Sequence, residues 1–109
     1  MMSAAVLWGI RAACAYSAVT TIKDVYDWWD NRDEYAIRQV VDAIRDARIE
    51  AQRGEPVDRE MIQGLDYAEN MITGCDPSEV TKEDMAVAKA HVERAHHIAE
   101  AEQREAEAV

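Results

Sequence analysis

A small all-α bundle of about four helices is predicted by three features of this 109-residue sequence. Apolar residues recur at spacings of three and four, the period of a helix face. No run alternates apolar and polar residues as a half-buried strand would. Start and stop signals built from Ser, Asn, Asp, Thr, Gly and Pro divide the chain into periodic stretches, with no linker long enough to separate a second core from the first. Residues 1–109 are therefore read as a single helical domain.

The first helix is expected from about Ser3 to Trp29, long and apolar, with Leu7, Ile10 and Cys14 opening a stripe that Ala15, Val19, Ile22, Tyr26 and Trp29 continue. Between Arg11 and Lys23 no residue is charged. A helix that is apolar all round belongs in a core centre or an intermolecular interface. Asn31, with Glu34 three residues later, signals the start of the second helix. Its stripe is Ile37, Val40, Val41, Ile44, Ala47 and Ala51, and Gly54 and Pro56 end it. Val57 and Asp58 open the third helix, whose inward face is Met61, Ile62, Leu65, Ala68 and Ile72, closed by Gly74. Gly64 in its middle marks the crossing of a neighbouring helix, because a mid-helix glycine otherwise only costs stability. Asp76-Pro77-Ser78-Glu79 reads as one capped turn. Thr81 with Asp84 starts the last, Ala/Glu-rich helix, with a seam of Met85, Ala88, Val92, Ala95 and Ala99. Acids crowd its C-terminal end and oppose the helix dipole, so residues 100–109 are expected to fray unless a partner holds them.

The core predicted from these stripes is thin. Leu, Ile, Val and Phe together make 20 of 109 residues, against 19 Ala. So few large aliphatics at a net charge of -10 would suit a disordered chain, but the helical periodicity argues otherwise. The core must be Ala-lined and closely packed, or completed by another chain.

Charge excludes some functions. With 22 acids against 12 bases, direct nucleic-acid binding and adhesion to an anionic membrane are not expected. Met1 to Ile22 resembles a membrane or export segment only in its apolarity. Arg11 sits near its middle at an insertion cost of roughly 2.5–3.5 kcal/mol, and no base precedes the apolar run as in a signal peptide. A cytoplasmic location follows, in which Cys14 and Cys75 are free thiols.

Nothing in the sequence points to catalysis. No phosphate loop, nucleophile elbow or paired-thiol metal motif is present, so the chain is read as no enzyme, with no cofactor and no metal site. Glu93 and His96 have the Glu-x-x-His spacing of di-iron bundles, which need two such pairs, and the sequence holds one. His91 lies five and six residues from His96 and His97, spacings that do not place ligands on one helix face.

The remaining constellation is Asp24, Tyr26, Asp27, Trp28, Asp30, Glu34 and Tyr35. Asp24, Asp27 and Asp30 step by three, so helical geometry would set neighbouring carboxylates about 5–6 Å apart, close to the phosphate spacing of a nucleic-acid strand. Tyr and Trp are the residue types that anchor interfaces. These residues are the expected binding site for a protein partner with a basic surface, in the sharpest form an inhibitor occupying a nucleic-acid-binding surface. A second acidic stretch, Glu55, Asp58, Glu60, Asp66, Glu69, Asp76 and Glu79, is expected to be a solvated helix face. The competing reading is a structural subunit or homo-oligomer assembled through the first helix and the Ala seam of the last helix, which Ala12→Glu or Ala15→Glu would break.

Overall fold

Four short polar side chains set where the helices begin. In the computed structural model, which describes residues 3–108, Ser3 accepts from the Val6 amide, Asp33 from Ala36, Asp58 from Met61 and Thr81 from Asp84. Each satisfies one of the amides that the first turn of a helix leaves without a partner. The helices that follow are α1 (Ala4–Asp27), α2 (Glu34–Gln52), α3 (Arg59–Thr73) and α4 (Lys82–Glu107). Single 3-10 turns at Trp29–Asn31 and Pro77–Glu79 lie in the first and third connections, and there is no strand among the described residues. Met1, Met2 and Val109, which belong to the expected leading segment and tail, lie outside them.

The fold is the predicted all-α bundle with long first and last helices. α1 packs against α2 and α4, and α3 closes the ring between α2 and α4. Successive helices run in opposite directions, so the start of α1 lies beside the end of α4 in an elongated body of 46 × 22 × 19 Å. The core is as thin as its composition implies. Of 22 buried apolar residues, nine are Ala, which lets helix backbones approach closely where larger side chains would hold them apart.

Two boundaries differ from expectation. α1 stops at Asp27, because the chain tightens into the 3-10 turn, with the Asn31 amide donating to the Trp28 carbonyl at 2.9 Å. Asn31 is consumed by that turn, so the cap of α2 falls to Asp33 instead. Arg32 holds the turn closed: its guanidinium lies 3.9 Å above the Trp29 ring and donates to the Trp29 carbonyl at 2.8 Å.

The larger correction is the phase of α1. Its buried face is Leu7, Trp8, Arg11, Ala12, Ala15, Ala18, Ile22 and Val25, while Ile10 is exposed and Cys14 and Val19 are half-buried. Arg11, the one charge in the segment, is fully buried. It stacks on Trp8, 4.3 Å from the ring centroid, and caps the C-terminal end of α2. Its guanidinium donates to the carbonyls of Glu50 at 3.2 Å, Arg53 at 2.8 Å and Pro56 at 2.7 Å, with Gly54 at 3.4 Å. Glu50 lies in the last turn of α2 and Arg53 is its C-cap, while Gly54 and Pro56 follow in the turn beyond, so the cation sits at the negative dipole end of the helix, where it is favoured. Burial pushes the Arg11 guanidinium below its ordinary value, and the Glu50 carboxylate opposes the shift. Gly54 makes the turn beneath it at φ 76°, a left-handed conformation that suits glycine.

The stripes of α2 and α3 bury as predicted, except that Val41 and Ile62 sit at the core margin. The α4 seam buries at all five positions. Opposite Gly64, α4 does cross: a Cβ there would meet the His91 carbonyl oxygen at 3.7 Å. α4 also runs unbroken through the tail expected to fray, to Glu107, with Gln103 resting on Gly9 of α1. Glu69 departs from its expected solvated face. It is buried between α3 and α2, where Arg48 reaches it at 3.2 Å and Arg45 at 3.6 Å.

Candidate interaction site at the acidic end

The end of α1, the starts of α2 and α4 and both 3-10 turns meet at one end of the bundle. Asp33 and Glu34 share a recess with Asp76, Pro77 and Ser78, and Lys82 lies 4.6 Å above the Tyr26 ring. Two acidic segments distant in sequence are thereby joined. Residues 24–34 and 76–84 hold nine acids and two bases, a net of -7 out of the chain's -10.

Much of this charge has local work to do. Asp33 and Asp76 cap helical turns, and Asp84 closes the capping box with Thr81. The hydrogen bond from the Ser78 amide, with a second from its hydroxyl, holds the Asp76 carboxyl below its ordinary range. Asp27 pairs with Lys23 at 3.1 Å and Glu34 with Arg38 at 2.5 Å, both in solvent. Asp24 and Asp30 are exposed and take part in no ion pair among the described residues.

The seven predicted site residues therefore divide. Asp27, Trp28 and Asp30 line one recess together with Trp29, Asn31 and Lys82, a hollow of about 350 Å³. Trp28 is 68% exposed. Glu34 and Tyr35 line another with Asp33 and Arg38; Tyr35, also 68% exposed, borders the groove between α1 and α2 beside Ser17 and Thr21. Tyr26 is half-buried against the core and covered by Lys82, so its ring is committed within the fold. The regular ladder of three carboxylates is interrupted. Asp24 and Asp27 belong to α1, whereas Asp30 lies in the 3-10 turn beyond the helix end.

Sequence reasoning overlooked Lys82 at this end, assigned the α2 cap to Asn31 in place of Asp33, and gave Arg11 no structural role. For Asp33 the signal was present: Asp is as good a cap as Asn, and it stands directly before the apolar stripe. Arg11 lacked one, since a lone charge on an apolar helix normally marks the wet face.

The Cys14 thiol is pushed up by burial and by the Glu50 and Asp46 carboxylates, with Arg53 opposing, which disfavours the reactive thiolate. Cys14 and Cys75 are both free. Glu93 is engaged by Lys89 at 2.7 Å, a hydrogen bond that raises the Lys89 ammonium, and despite their spacing Glu93 and His96 form no ion pair. His96 and His97 turn to Glu100 instead. No protein-family model matches the chain, and no curated protein or solved structure matches it.

Proposed function

We propose that this protein is a non-enzymatic acidic binding module that docks its acidic end onto a basic surface of a partner protein in the cytoplasm. In its most specific form it is an inhibitor whose carboxylates lie where a nucleic acid's phosphates would. The observation that supports this is Trp28: a large apolar ring, two-thirds exposed, beside the uncommitted carboxylates of Asp24 and Asp30. Leaving such a ring in water forgoes the stabilisation that burial would bring, and acids at the end of α1 oppose its dipole. Both features work against the fold and suit an interface with a cationic rim and an aromatic anchor. Affinity capture from the source cell tests the reading. A nucleic-acid-handling protein should be retained at low salt, be released at high salt or by added nucleic acid, and be lost with Trp28→Ala or Asp24→Asn/Asp30→Asn. Retention of the same partners by both variants would overturn it.

One observation favours self-assembly as the second reading. The outward side of α1, with Val6, Ile10, Ala13, Tyr16 and Ser17, is exposed and carries no charge. Ala12 and Ala15 are buried within the fold, so glutamate there would disrupt the monomer itself. Ala13→Glu and Ser17→Glu are the informative changes. Sedimentation as an oligomer that either change dissolves would support this reading, and a monomer at micromolar concentration would remove it.

A further inference from the structure

We propose that His96, His97 and Glu100 form a surface site for a divalent transition ion of the zinc type. The three occupy a single turn of α4, and at 100° per residue Glu100 falls between the two histidines around the helix. Its Oε1 stands 3.6 Å from the Nδ1 of His96 and 3.6 Å from the Nδ1 of His97. One donor atom from each residue lies within 4.8 Å of the other two. Tetrahedral zinc with nitrogen and oxygen ligands at about 2.0–2.1 Å separates its donors by about 3.3 Å, so two of the three separations are already close to the bound geometry. Only the histidines need to draw together.

The surroundings favour occupancy. The His96 side chain is 17% exposed, and its ring lies 5.5 Å from that of Tyr16 on α1, which holds one ligand before any ion arrives. His97 is 74% exposed and free to turn. Glu93, the nearest competing carboxylate one turn back, is held by Lys89. Arg104, one turn onward, makes no ion pair with Glu100. Two imidazoles and one carboxylate select zinc, nickel or copper over magnesium and calcium, which prefer all-oxygen shells. Three protein donors leave a fourth position open to water.

Calorimetric titration of the intact chain with zinc chloride at pH 7.5 tests the site. One ion per chain should bind with a micromolar constant. His97→Ala and Glu100→Gln, both at solvent-facing positions, should each weaken binding by at least about tenfold, with circular dichroism unchanged. His91→Ala, which removes a histidine elsewhere on α4 whose ring packs at a tilt against Tyr67, should leave binding intact, and excess magnesium should not compete. Absence of saturation below millimolar zinc, undiminished binding by His97→Ala, equal loss in His91→Ala, or displacement by magnesium would each overturn the proposal.

Discussion

Arg11 is the residue on which the arrangement of the first two helices depends. Its guanidinium is closed off from solvent by Trp8 and gives its hydrogen bonds to carbonyls at the end of α2 and in the turn beyond. Arg11→Met would keep much of the volume while leaving those acceptors unpaired, and should lower the unfolding free energy by about 3 kcal/mol in a urea titration. Arg11→Lys should recover little, because an ammonium cannot span the same fork of acceptors. At the opposite end, Asp76 gives a pH dependence of definite sign. Its carboxyl is depressed in the folded chain by the Ser78 amide, so it adds stability above the unfolded value of about 4 that disappears as pH falls through the lower folded value. The Ser78 amide resonance should titrate with that carboxyl, and Asp76→Asn should abolish the titration. The two roles are not equally legible in the sequence. Asp76 before Pro77 is a local signal, whereas the partners of Arg11 lie about forty residues away.

Each helix was legible in proportion to how unevenly its polar residues are spread around it. α2 and α4 carry charges on one side and small or branched apolar residues on the other, so the period alone gives both the helix and its buried face. α1 is nearly uncharged throughout, and periodicity therefore located the helix without its orientation; Trp8, Ala12, Ala18 and Val25 replaced Ile10, Cys14 and Val19 in the core. Gly64 signals a crossing from α3 in isolation, and the neighbour is α4 at an ordinary contact distance. Because a Cβ fits there, Gly64→Ala should raise stability by about 0.5–1 kcal/mol through helix propensity alone, measured as a higher urea midpoint at constant slope. At the end of α1, Asp24→Asn removes an acid from the negative end of a dipole and should gain about 0.3–1 kcal/mol. The same change should weaken partner capture, a separation of stability from binding that a purely structural role for Asp24 would not give.

For the whole molecule, the decisive property is that its charge is polarised. The candidate site was legible as composition but not as geometry: nothing in the sequence tells whether residues 24–34 and 76–84 share an end, and the antiparallel path of the helices is what unites them. Such a charged end should speed encounter with a cationic partner, so the association rate should fall steeply with added salt while the dissociation rate changes little. Surface plasmon resonance across an ionic-strength series would check it. The topology that gathers the acids also disposes of the termini. Ser3 and Ala108 emerge together at the far pole, where Gln103 touches Gly9, separated from Trp28 by the full α1 rod of about 36 Å. A tether, dye or fusion attached at either extremity thus leaves the acidic pole unobstructed, and joining the two extremities with a short peptide would permit new openings elsewhere in the polypeptide without disturbing it.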